Sequence, residues 1–338
     1  MKPLVSITAL VVVSTLVVMG FSGCTGQQKN TIIITGADAL VPIMQIWADQ
    51  YMKLYPNVNI TVSGGGAGKG VTDALSGASN IGMVSRELKS TEISQGVFYV
   101  AAVRDAVVVV VNEHNPVKDI LLAKGLTKQQ LRDIFTSKTL TTSRSVKTWG
   151  QLVNVTNVTD PIVVISRTDS AGSADTFAKY LGNFVQQNLT YGADSNVQGD
   201  SGVRGAILNQ TNNAGNDRIG YNNLNTAYNM KTKLPYPGLV VVPYDLNGDG
   251  ILEANESFYG NTTVLVHAIE TGMMPTPPAK DNYLVTKGNF TGATKDFVTW
   301  ILSSTGGQLY IASTGYCQLP AAELTLQQQI VQSGHRST

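Results

Sequence analysis

Arg167 and Asp169 stand two residues apart in Ser166-Arg167-Thr168-Asp169-Ser170-Ala171-Gly172-Ser173, a stretch rich in small and polar residues. A guanidinium presents a planar fork of N–H donors that matches an oxyanion, and a neighbouring carboxylate fixes its orientation. Arg-x-Asp is also a common surface salt bridge, so the context decides, and here the pair lies between strand-like and helix-like residues. Two more segments have the same context: Gly36-Ala37-Asp38-Ala39-Leu40 and Gly64-Gly65-Gly66-Ala67-Gly68-Lys69-Gly70. Backbone N–H groups at the start of a helix have no partner in the helix and sit at its positive end, which suits an anion. A different chemistry is written in Asp245-Leu246-Asn247-Gly248-Asp249-Gly250-Ile251-Leu252-Glu253-Ala254-Asn255-Glu256. Asp245, Asn247 and Asp249 fall at positions 1, 3 and 5 of a twelve-residue calcium loop. Gly250 falls at 6, the Ile251 carbonyl at 7 and Glu256 at 12, a complete set of hard oxygen ligands for a structural Ca²⁺.

The elements that position these loops alternate between strand and helix. Thr31–Thr35 and Val58–Val62 are β-branched runs, Leu40–Leu54 repeats apolar residues at helical spacing, Gly64–Gly70 reads as a turn, and Val71–Leu75 opens a helix before the strand Ile81–Val84. Val107–Val111 is an apolar run suited to a strand buried on both faces, broken at Asn112-Glu113-His114-Asn115-Pro116. Helices at 127–135, 175–181 and 203–208 and a strand at 162–165 make a second unit. Pro275-Thr276-Pro277-Pro278 bars regular structure, after which strand 283–286 and helix 294–302 follow. The expectation is an α/β protein of two lobes, each a mainly parallel sheet flanked by helices. Lobe 1 spans 31–111 and 279–338; lobe 2 spans 112–278 and carries the calcium loop 245–256. Leu239–Val242 reads as a strand rather than a helix before that loop, so it is expected to clip the structure, not to open as a sensor.

Lys2, the apolar run Leu4–Phe21 and small Ser22-Gly23 before Cys24 read as an export signal over residues 1–23, followed by a tether over 24–30. Phe21-Ser22-Gly23-Cys24 resembles a lipobox, which makes Cys24 the lipidated first residue of an extracytoplasmic protein held on the outer face of the membrane. Cys317 is then a lone thiol, expected to be buried. Cleavage removes Lys2 and no acidic residue, so the mature chain is formally neutral, which argues against nucleic acid. Charged residues are only 14% of the chain, and Asn, Thr, Ser and Gly fill the surface instead. Asn-x-Ser/Thr acceptors at Asn59, Asn154, Asn157, Asn188, Asn209, Asn255, Asn261 and Asn289 fit an exposed extracellular surface. A nucleotide loop fails, because Ser63 and Gly70 stand where Gly-x4-Gly-Lys-Ser/Thr wants Gly and Ser/Thr. Catalysis finds no motif either: His114, His267 and His335 lack metal-ligand spacing, and no Gly-x-Ser-x-Gly occurs.

Taken in order, Ile33–Gly36 leading to Pro42, Val62–Val71, Asn80–Lys89, Arg167–Ser173 and Gly315–Pro320 resemble the phosphate-binding proteins of ABC importers across nearly the whole mature chain. That resemblance implies a hinged binding protein of the periplasmic type II fold, with a ligand cleft at the hinge between its lobes, working as a monomer. It would capture phosphate or a related oxyanion and hand it to the membrane permease. Position by position it implies ligand contacts from Ala39, Leu40, Ala67, Gly68, Ser85, Arg167, Asp169, Ala171, Gly172 and Ser173. Leu40, Ala67 and Ala171 stand where the family has Ser or Thr, so three hydroxyl donors are missing and their backbone N–H groups are expected to serve in their place. Asp38 or Ser85 would accept the proton of hydrogen phosphate. The missing hydroxyls keep open another anion, or a calcium-stabilised surface adhesion or sensory protein that has lost transport.

Overall fold

A computed structural model describes residues 30–138, 143–209 and 211–336, so the export segment and Cys24 lie outside the described residues. The β-branched runs form strands β1 (Asn30–Gly36), β2 (Val58–Ser63) and β3 (Ile81–Val84), followed by a long β4 (Val97–Asn112). After the short β5 (Leu126–Thr127) come β6 (Val163–Arg167), β7 (Ser195–Val197), β8 (Arg218–Asn223), β9 (Leu239–Val242), β10 (Tyr244–Asp245) and β11 (Ala279–Lys287). The main sheet runs β2-β1-β3-β11-β4-β8-β6-β7, with β9 also on β4. β2, β1 and β3 are parallel to each other, as are β8, β6 and β7, while β11 and β4 are antiparallel to their neighbours. The sheets expected one per lobe are thus joined into one path through β4.

Two apolar cores flank this path. One gathers Ile32, Ile34, Trp47, Met83 and Val103 with Phe297 and Ile301 of the helix Gly292–Ile301. The other gathers Val107–Val111 with Leu131, Phe135, Trp149, Phe177 and Tyr221. The chain passes between them within β4, between Val103 and Ala106, within β11, between Ala279 and Leu284, and again between Tyr316 and Cys317.

The lobe boundary expected at residue 112 is therefore too late. Val107–Val111 were placed in lobe 1, but they pair with β8 and β9 and pack in the second core. An apolar strand buried on both faces looks the same in either lobe, and the break at Asn115-Pro116 marks only where that strand ends.

The crossing is polar. In the antiparallel register Asp105 faces Lys280 and Arg104 faces Asp281. Asp105 and Lys280 are buried, 3.3 Å apart, while Arg104 and Asp281 meet at 2.6 Å on the more open side. Burial pushes the Asp105 carboxyl above its usual range, and the Lys280 charge only partly opposes this.

Candidate anion site between the lobes

The candidate residues converge where strands end at their carboxyl termini, the usual position of ligands in open α/β sheets. The first lobe supplies the loop after β1, the loop after β2 and Ser85 directly after β3. The second supplies Arg167, the last residue of β6, the loop that follows it, Asp200 from the first turn of the helix Gly199–Ile207 after β7, and Asn223, the last residue of β8. Together with Ala37, Asp38, Ala39, Gly66 and Ala67 they line one narrow pocket.

Two helices point into it. Ala67–Ser76 and Gly172–Gly182 have no side-chain cap, so their first-turn N–H groups stand free of helical partners. Gly66, the residue before the first of these helices, has φ +88°, and a Cβ there would meet the Ser170 carbonyl at 2.5 Å. Gly172 is pressed as closely on the other lobe, because a Cβ would fall 2.2 Å from Ser85 Oγ. These contacts bring the lobes into a closed arrangement. Arg86 Nε stands 3.3 Å from Asp175 Oδ2 across the cleft, and Lys179 pairs with Glu87. Asn225 Nδ2 donates to the Ala39 carbonyl at 3.2 Å and to Tyr316 Oη at 2.8 Å, and the Tyr316 hydroxyl donates to that same carbonyl.

Arg167 is 2% exposed and held on two sides. Nε donates to Asp169 Oδ1 at 2.8 Å, Nη2 donates to Asp169 Oδ2, and Nη1 donates to Asp200 Oδ1 at 2.7 Å. A guanidinium has five N–H donors. Nη1 also donates to Ser173 Oγ at 3.4 Å, which leaves one donor, on Nη2. Burial alone would weaken the Arg167 proton, but the Asp169 hydrogen bond and the Asp200 charge reverse this and hold the guanidinium firmly charged. Asp169 is likewise pushed up by burial but held below its usual range by Arg167 and by the Gly199 N–H at 3.0 Å. Asp200 Oδ2 accepts from Asn223 Nδ2 at 2.8 Å.

Of the residues expected at the site, Ala39, Ala67, Ser85, Arg167, Ala171, Gly172 and Ser173 line the pocket. Leu40 does not; its side chain packs in the first core at 1% exposure. Gly68 lies one residue beyond the wall, against Ser170, and Asp169 orients Arg167 from behind. Backbone N–H groups do not replace all three missing hydroxyls. Leu40 N donates to the Ala37 carbonyl at 2.9 Å and Ala171 N to Gln186 Oε1 at 2.9 Å, which leaves Ala67 at a free helix start. Asp38 reaches the pocket but is exposed, and its Oδ1 accepts from Gly65 N at 3.1 Å. The buried carboxylate is Asp200, which sequence reasoning missed together with Asn223 and Ser170. The signal for Asp200 was available: Gly199-Asp200 also follows a strand and opens a helix, Gly199–Ile207.

In the Asp245–Glu256 loop the oxygen donors are of the type calcium takes. They accept from the loop's own backbone: Asp245 from Gly248 and Gly250 N–H, Asn247 from Asp249 N–H, Asp249 from Ile251 N–H, and Glu256 from Leu246 and Asn247 N–H. Asp245 and Glu256 are buried, and Ile251 is exposed. Among the described residues no group of three or more His, Cys, Asp or Glu side chains converges as metal ligands. Nor is any described helix long and apolar enough to cross a membrane. Cys317 is buried, as expected.

Two lobes on crossing strands, with a pocket between their strand ends, make the two-lobed fold of binding-protein type. The family model described as PBP superfamily domain matches residues 24–305, and the chain belongs to that superfamily. Among similar proteins is the phosphate-binding protein PstS of Pseudomonas aeruginosa, 28% identical over 319 residues that cover 89% of this chain and 85% of that protein. PstS of Bacillus subtilis is 26% identical over 309 residues with the same coverage. Among solved structures, a Clostridium perfringens protein described as a phosphate ABC transporter substrate-binding protein, solved with bound phosphate, superposes with a TM-score of 0.65 at 24% identity, over 86% of this chain and all of that one. An ABC-type phosphate transport receptor from Vibrio cholerae gives a TM-score of 0.60 at 19% identity, over 85% of this chain and 99% of that one. These likenesses establish the fold.

Proposed function

We propose that this protein is the extracytoplasmic receptor of an ABC importer and captures phosphate, or an oxyanion of the same shape, between its lobes. The observation that carries the reading is Arg167. It is buried, locked by two carboxylates, and left with one N–H donor beside two uncapped helix starts. That set of donors suits tetrahedral oxygens, and the relatives named for phosphate binding agree with it.

The mechanism is capture and closure. In the open form the two halves of the pocket are apart; an anion that bonds to Arg167 on one lobe and to the Ala67 helix start on the other stabilises the closed form by that differential affinity. Closure brings Arg86 to Asp175 and Asn225 to the Ala39 carbonyl and Tyr316, and a permease is expected to recognise the resulting shape. Lipid at Cys24 would keep the receptor beside its permease, and calcium on the 245–256 loop would brace the second lobe. The adhesion alternative draws no support from the relatives.

The test is calorimetric titration of the purified protein with phosphate, sulfate, molybdate and small carboxylates. Saturable phosphate binding at one site is expected. No binding of any oxyanion would end the receptor reading.

A further inference from the structure

Asn223 is 1% exposed and lines the anion pocket, yet its Oδ1 is buried without a hydrogen-bond partner. An orphaned buried acceptor is costly, and in a pocket wall it points to a donor brought by the ligand. The orientation of the amide is fixed chemically. Asn223 Nδ2 donates to Asp200 Oδ2 at 2.8 Å, and the other oxygen of Asp200 accepts from Arg167 at 2.7 Å. Turning the amide over would set two acceptors against each other, so Oδ1 is the atom left without a partner in this residue of the pocket wall. Asp200, bonded at both oxygens to protein donors, adds acceptor character to the same wall, while Arg167 and the helix starts supply donors elsewhere. Such a pocket asks for a ligand that carries acceptor oxygens together with one O–H.

We infer that Asn223, aligned by Asp200, is a specificity-determining residue whose Oδ1 accepts the hydroxyl hydrogen of a protonated oxyanion such as hydrogen phosphate. A fully deprotonated anion of the same charge and shape meets that oxygen with lone pairs only and is rejected. The inference rests on the receptor reading and assigns its selectivity to a side chain at the end of β8.

Fluorophosphate is the probe, being a tetrahedral dianion in which fluorine replaces the hydroxyl. Calorimetric titrations of the wild-type protein would be run at slightly alkaline pH, where phosphate is chiefly the hydrogen phosphate dianion. Fluorophosphate and sulfate should each bind at least about tenfold more weakly than phosphate, the order expected when a buried acceptor stays unpaired. In Asn223→Leu, with folding checked by thermal melting, phosphate should weaken while the other two change little, so the preference shrinks. Equal wild-type binding of phosphate and fluorophosphate overturns the inference without any variant, and a folded Asn223→Leu that keeps the full preference overturns it too. No phosphate binding by the wild-type protein overturns the receptor reading, and this inference falls with it.

Discussion

Replacing Arg167 by alanine tests how the candidate site is held as well as what it binds. The side chain makes three hydrogen bonds to Asp169 and Asp200 and a fourth to Ser173, which leaves one N–H donor for a ligand. Without it, two largely buried carboxylates face each other with no cation between them. Breaking a buried ion pair in this way costs about 3–5 kcal/mol, which should lower Tm by on the order of 10 °C. That donor, worth about 1.5–3 kcal/mol to a charged acceptor, sets the loss of affinity at roughly 10- to 10²-fold. Adding Asp200→Asn separates the two effects. It removes one stranded charge, so part of the lost Tm should return while affinity stays low. Differential scanning calorimetry of the ligand-free proteins and phosphate titrations read these out. Full affinity in Arg167→Ala would refute the ligand role, and a double variant no more stable than the single one would refute the charge argument.

Ala171 stands before the Gly172–Gly182 helix in an N-cap position with no side-chain acceptor, so Ala171→Ser should add about 1 kcal/mol of stability, seen as a higher urea midpoint. At the crossing, Lys280→Met should destabilise by less than the roughly 3–5 kcal/mol of a broken buried pair, since Asp105 already leans toward its protonated form; adding Asp105→Asn should recover most of the loss in thermal melts. On acidification, Asp169, Glu92 and Asp194 are pushed up by burial but held below their usual range by Arg167, by Arg86 and by the Val164 N–H with Arg144. A folded value below the unfolded one stabilises above about pH 4 and is lost as pH falls through the folded value, so Tm should hold near neutrality and drop below about pH 4. Calcium should raise Tm and a chelator lower it if the 245–256 loop takes the ion, whereas a Tm indifferent to both leaves that loop braced by its backbone hydrogen bonds alone.

The strands were legible in the sequence because β-branched runs report burial directly: Ile81–Val84 and Leu239–Val242 stand where they were read. The helices of the site were read late, and always at their first turn. Val71 was taken as a start where the helix opens at Ala67, Asp175 where it opens at Gly172, and Val203 where it opens at Gly199. Those first turns are Ala-Gly-Lys-Gly, Gly-Ser-Ala and Gly-Asp-Ser-Gly, largely poor helix formers that read as loop. They suit the site for the same reason. Small residues let N–H groups and the opposite lobe come close, so the features that make these turns useful erase the periodicity that would reveal them. Asp200 was hidden inside one such turn, 33 residues from Arg167. Asn223 was harder still, since no local spacing joins it to either residue; it reaches them only because β8 lies beside β6 and ends opposite Val107 at the crossing. Arg167 could be found from its neighbours in the chain, whereas the residues that limit its charge and test the ligand's hydroxyl are set by strand order.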